Sequence, residues 1–93
     1  MVSIHFVRGK YPYKYTAVVS YKNGKVKRVS FGHQDYQQYR DGTDLKLYKR
    51  LDHLDFDRRR RYRARHSKIF NKDGMAAYKI KYSRAWFSYH YLW

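Results

Sequence analysis

Six arginines between positions 58 and 65, Arg58, Arg59, Arg60, Arg61, Arg63 and Arg65, are the residues of this chain best suited to chemistry, and that chemistry is anion binding. A guanidinium stays charged at any physiological pH. Its planar fork of N–H donors grips phosphate or carboxylate bidentately and stacks on aromatic rings. On one helix, at about 100° per residue, six such groups cover most of the circumference, so only part of the helix can turn to a core and the rest faces water or anions. Arg61 and Arg65 are four apart, on one helical face, with Tyr62 placed between them to pack into the domain. Asp35, Asp41, Asp44, Asp52, Asp55 and Asp57 could neutralise some of these arginines within the fold. Exposed pairs of that kind are weak, and the chain as a whole stays strongly positive.

A second constellation, His53 with Asp52 and Asp55, has the groups for acid–base work. A polar junction between two helices, with aspartate caps, explains it more economically. His5, His33, His66 and His90 lack metal-ligand spacing, and a surface or hydrogen-bonded histidine is the simpler account of each. The chain has no cysteine and no glutamate, which removes disulfides, thiolate zinc sites and cysteine nucleophiles together. It also has no glycine-rich phosphate loop and no nucleophile elbow. The expectation is a protein without enzymatic activity, cofactor or metal.

These residues must be positioned by a short chain: 93 residues, 22 Lys and Arg against 7 acids for a net charge of +15, and a single proline. That length supports one small domain with a thin core, read here as residues 1–93 without linker or repeat. Residues 1–32 are uniformly basic, 33–57 are slightly acidic, and 58–93 return to a strong positive excess. So much charge would ordinarily predict disorder. Twelve Tyr, five Phe and two Trp, spread from Phe6 to Trp93, argue instead for a folded domain, because each ring can be buried while its polar atom finds a partner. A flexible basic tail would be simpler in composition and poor in aromatics. Residues 2–7 are too short and too polar for a signal peptide, and no apolar run approaches a membrane span, so a soluble, intracellular protein is expected.

The pattern predicts an α+β fold: an N-terminal β-hairpin or short antiparallel sheet in 1–32, then two or three short helices. Residues 2–7, 13–21 and 26–31 read as strands, and Asn23-Gly24 between the last two favours a type I′ turn. In the third strand Lys27, Val29 and Phe31 share one face, and Val26, Arg28 and Ser30 the other. Residues 33–42 read as a polar, Tyr-bearing loop or irregular helix. Residues 43–66 read as helical, with Thr43 capping a first helix that carries Leu45, Tyr48 and Leu51 and ends near His53. Asp55 and Asp57 then open the arginine helix, in the order that suits its dipole. Residues 71–74 form a turn, and 75–82 are extended or irregular. Ser83 caps a last short helix in the aromatic segment 83–93, whose rings either fold back over the hairpin or insert into a neighbour.

Phe31-Gly32-His33, the Tyr- and Asp-rich stretch after it, His53, Arg60-Arg61-Tyr62-x-x-Arg65-His66, and Ser83, Trp86, Ser88 and Leu92-Trp93 together resemble a family of short basic virion-associated proteins of nucleocytoplasmic large DNA viruses. The resemblance runs from about Lys25 to the end. It implies a virion location after synthesis in the host cytoplasm, at the viral factory, and no enzymatic activity. Two functions follow. The first is a minor capsid, or cement, component, present in multiple copies, that bridges major and other minor capsid proteins or contacts acidic membrane headgroups. The second is a basic DNA-binding protein that packages the genome. The expected partner-binding residues are Arg58, Arg59, Arg61, Tyr62, Arg65, Trp86, Phe87, Leu92 and Trp93, the C-terminal aromatics among them serving as anchors in the cement reading, whereas DNA affinity would follow the number of neutralised phosphates.

Overall fold

The computed structural model describes residues 2–70 and 72–93. Three strands, β1 (Ser3–Arg8), β2 (Tyr13–Ser20) and β3 (Val26–His33), form an antiparallel sheet in the order β1-β2-β3. Helices α1 (Phe56–His66) and α2 (Arg84–Tyr91) follow, giving the expected small α+β domain. The turn between β2 and β3 differs from the expected type I′ geometry. Gly24 N–H donates to the Tyr21 carbonyl at 3.0 Å, Tyr21 N–H to the Lys25 carbonyl at 2.8 Å, and Gly24 carries the positive φ of 87°. This is a three-residue loop, a type I turn closed by a left-handed glycine, and it lets Asn23 keep a negative φ while its side chain accepts from Lys25 N–H.

The register places Phe6 opposite Ala17, Ala17 opposite Val29, and Tyr15 opposite Phe31. Tyr15, Ala17, Val19, Val29 and Phe31 therefore line one face, and that face is the core, a choice that the imperfect alternation of β3 left open. Helix α2 lies across it. Its Phe87 stacks on Phe31 at 5.4 Å, and Phe6 meets Phe31, Phe87 and Tyr91 edge-on at 5.8, 6.2 and 4.7 Å. Edge and offset contacts of this kind add to the burial of each ring. Ser83 caps α2 as predicted, its Oγ accepting from Trp86 N–H at 3.1 Å. Gly32, at φ 74°, lets Leu92 close over the end of β3, since a Cβ there would lie 2.9 Å from Leu92 Cδ1.

The helix expected from Thr43 to about His53 is absent; that segment is a loop with one 3-10 turn, Lys49–Leu51. Thr43 does accept from Lys46 N–H, as a cap would, but Lys46 then takes φ 50°. The next backbone donors are claimed by side chains: Leu47 N–H by Tyr15 Oη at 2.8 Å and Tyr48 N–H by Asp41 at 3.2 Å. Side-chain partners of this kind outcompete the helical ladder. They belong to a buried polar network. Asp41 also accepts from Tyr15 Oη–H and from the N–H and hydroxyl of Thr43. Lys14 donates to Gln38 and to the Tyr36 carbonyl, and Gln38 donates to Asp52 at 2.6 Å and to the Tyr48 carbonyl at 2.9 Å. The network fastens residues 34–52 to β2.

The network makes stability depend on pH. Burial lowers the Lys14 ammonium from 10.5 to about 8, and burial, with the bond to Asp41, raises the Tyr15 hydroxyl to about 12. Between about pH 8 and 10 the unfolded chain binds more protons at Lys14 than the native state does, so stability rises with pH. Above about pH 10 the unfolded tyrosines ionise first and stability falls. Urea midpoints measured from pH 7 to 11 should pass through a maximum near pH 10, and a flat or falling trend from pH 8 to 10 would show that the Lys14 ammonium is not desolvated.

Between α1 and α2 the chain turns at Lys72 to Gly74, forms an isolated antiparallel bridge from Phe70 to Ala76, and makes a 3-10 turn at Ala77–Lys79. Asn71, the first residue of the expected turn, lies outside the described residues.

Candidate functional site

Helix α1 begins where the sequence places its acids. Asp55 caps it, accepting from Asp57 N–H at 3.0 Å and Arg58 N–H at 3.1 Å, and these amides, Arg58's first, hold the Asp55 carboxyl below the usual carboxylate range. Helix α1 has no fully buried residue. Its arginines divide by face. Arg59 and Arg63, one turn apart, point inward, and their Nε atoms donate to the main-chain carbonyl of Trp93 at 2.8 and 3.2 Å. Arg59 also covers the rings of Tyr39 and Phe56, at 5.1 and 5.9 Å, and Arg63 covers Tyr89 at 4.4 Å. The Arg63–Tyr89 contact and the bonds to Trp93 anchor the helix to the C-terminal segment, and the Arg59–Tyr39 contact ties it to the loop after β3.

The other arginines face outward. Arg60 pairs with Asp57 at 3.5 Å in an exposed contact, and Arg58 donates to Gln37 Oε1 at 2.9 Å. Arg61 and Arg65 are exposed, and no hydrogen bond or ion pair engages either guanidinium among the described residues. The aspartates neutralise this helix only in part: Asp57 pairs with Arg60, and the Asp55 cap carboxylate feels the Arg61 charge, while Asp41 and Asp52 are committed to the buried network.

Arg58, Arg61 and Arg65 form one wall of a cleft of about 490 Å3. Tyr62 and Trp93 also line it, stacked at 4.1 Å and 6°, with His66 on Tyr62 at 3.9 Å. Burial pushes the Tyr62 hydroxyl up to about 12, and burial followed by the Arg65 charge holds His66 below its ordinary value. Both rings therefore stay uncharged in the stack at neutral pH. The facing wall is Asp35, Tyr36 and Gln37. Tyr36 is 66% exposed and stacks on His33 at 4.3 Å, while Tyr11 donates its hydroxyl to Asp35 at 2.8 Å.

Of the residues expected to bind a partner, the structure brings Arg58, Arg61, Tyr62, Arg65 and Trp93 to this cleft. Arg59 turns inward instead, because the Trp93 carbonyl and two rings hold it. Phe87 and Leu92 are 0% and 2% exposed and belong to the domain's own core, so the C-terminal aromatics fold back over the sheet. Trp86 is half-buried against Tyr82 and Phe87. His53 precedes α1 at a polar junction, between a loop and a helix rather than between two helices, its Nδ1 accepting from Asp55 N–H at 2.9 Å; its Nε2 is buried with no hydrogen-bond partner among the described residues. Burial and the Arg58 charge keep its ring below the ordinary histidine value. Among the described residues no group of three or more His, Asp or Glu is arranged to hold a metal ion. Among the described residues no helix is long and apolar enough to cross a membrane.

Tyr36 was not singled out by the sequence, because an isolated tyrosine in a polar stretch gives no periodic signal. The Lys14–Gln38–Asp41 network was missed for the same reason. Compared with known proteins, the chain matches no family model, no curated protein and no solved structure.

Proposed function

We propose that the protein is a non-enzymatic nucleic-acid-binding component of a large DNA virus particle, docking on the phosphate backbone through the outer face of α1. The observation that carries this reading is the pair Arg61 and Arg65, exposed and without a hydrogen bond or ion pair among the described residues, on one face of α1 in a chain of charge +15. Exposed guanidinium groups such as these can bind phosphates and release counterions from a polyanion. The viral setting is proposed from the resemblance of the motifs.

Capsid cement is the second reading. Leu54 and Phe56 at the start of α1, and Ile69 and Phe70 beyond its end, are exposed, and β1 pairs on one side only. Such side chains and an open strand edge suit contact with a neighbouring subunit.

Anisotropy of labelled DNA across a salt series tests the proposal. Log affinity should fall linearly with log salt, and R61Q/R65Q should weaken binding about tenfold or more and reduce the slope by about 1.4 to 1.8. Its melting temperature should match the parent's, since both side chains are free in solvent. Unchanged affinity would make these arginines a solvated face. Absent DNA binding at physiological salt, together with co-sedimentation with capsid protein, would favour cement.

A further inference from the structure

The two walls of the cleft differ chemically. One carries guanidinium groups; the other carries a carboxylate, an amide and an open aromatic ring. We propose that the cleft is a single-strand subsite, in which Arg61 and Arg65 hold phosphates of an unpaired nucleic-acid strand while a base stacks on Tyr36. This rests on the nucleic-acid reading above and narrows it to unpaired strands.

The asymmetry favours an unpaired strand over a duplex. A duplex turns phosphates outward along both strands and keeps its base faces stacked inside, so the Asp35 wall would repel one strand and the Tyr36 ring would find no base. An unpaired strand offers phosphates on one side and bases on the other. Its backbone then follows α1, where Arg61 and Arg65 stand about 6 Å apart along the axis, one turn on the same face. Its bases point to the opposite wall, where the Asp35 carboxylate and the Gln37 amide can meet base edges rather than phosphates.

Tyr36 is built as a platform. One face of its ring stacks on His33 at 4.3 Å and 21°, and the ring remains 66% exposed. The backbone beneath is fixed by three bonds: Tyr36 N–H to the His33 carbonyl at 3.2 Å, Lys14 Nζ to the Tyr36 carbonyl at 2.7 Å, and Gln34 N–H to the Pro12 carbonyl at 2.8 Å. Arg58, tied to Gln37 at 2.9 Å, bridges the two walls. A large ring exposed to solvent, outside the core, in a cleft that it lines together with Arg61 and Arg65, has the composition of a stacking site for bases.

The test uses the full chain with a labelled dT12 strand and a 12-base-pair duplex, each titrated from low to physiological salt, alongside Y36A and Y36F. The single strand should bind more tightly than the duplex. Y36A should weaken the single strand about tenfold, Y36F should restore it, and neither should alter the salt slope or the duplex affinity. Because the Tyr36 side chain lies outside the core, melting of Y36A should match the parent. Equal binding of strand and duplex, or a single-strand affinity indifferent to Y36A, overturns the stacking subsite and leaves the nucleic-acid reading in place. Failure of the parent protein to bind either probe overturns both.

Discussion

Removal of residues 86–93 is expected to abolish the cooperative unfolding transition of the domain. The segment supplies Phe87 and Leu92, both in the core, and truncating a buried Phe or Leu costs about 2 to 5 kcal/mol each. It also supplies the carbonyls that hold the long loop. Tyr39 and Arg40 N–H donate to the Leu92 carbonyl at 3.0 and 3.2 Å, Gly42 N–H donates to the Tyr91 carbonyl at 2.7 Å, and Arg59 and Arg63 reach the carbonyl of Trp93. Against a total stability of about 5 to 15 kcal/mol for a small domain, these losses leave no folded state. Near-ultraviolet circular dichroism followed through a thermal scan reads the result directly. A truncated chain that still melts cooperatively within a few degrees of the parent would show that the C-terminal rings are not core. The same argument makes this truncation unsuitable as a probe of partner docking, because it removes the fold before it removes a surface.

Asp41→Ala is expected to cost about 3 to 5 kcal/mol, as for a buried charged group that leaves its donors unpaired. Asp41 is 2% exposed and accepts from the Tyr15 hydroxyl, from the N–H and hydroxyl of Thr43, and from Tyr48 N–H. Alanine removes every acceptor and leaves Tyr15 and Thr43 buried and unsatisfied. Asp41→Asn keeps one acceptor oxygen but turns an NH2 toward existing donors, so its loss should be smaller but still more than 1 kcal/mol. Urea midpoints with unchanged m-values would report both effects. A loss below about 1 kcal/mol for the alanine variant would show that the network is solvated and does not fasten the loop.

Local chemistry carried most of the fold into the sequence. The three strands, the turn glycine at position 24, the Asp55 cap of α1 and the Ser83 cap of α2 are each set by neighbours within a few residues, through alternation, capping and turn preference. The arginine cluster was equally plain as an anion-binding signal, because its meaning lies in composition. The failure at residues 43–53 has a definite cause. The apolar spacing of Leu45, Tyr48 and Leu51 satisfied a helical template, but Tyr15 and Asp41 took the backbone donors that such a helix needs. Tyr15 lies 32 positions from its partner Leu47, a separation no local pattern can register.

What the tertiary structure alone decided is how similar residues divide between scaffold and surface. Six arginines on one helix look alike in sequence. The Trp93 carbonyl, 34 and 30 positions away, draws Arg59 and Arg63 inward and leaves Arg61 and Arg65 in solvent. The C-terminal aromatics could have covered a neighbour or the chain's own sheet, and Phe87 stacked on Phe31 places them on the sheet. Tyr36 became part of a cleft only when the loop it belongs to was laid opposite α1. Residue type sets which interactions a side chain can make, and local spacing sets which element it joins. Which of several equivalent side chains is buried depends on contacts between segments far apart in the chain, and those exist only once it has folded.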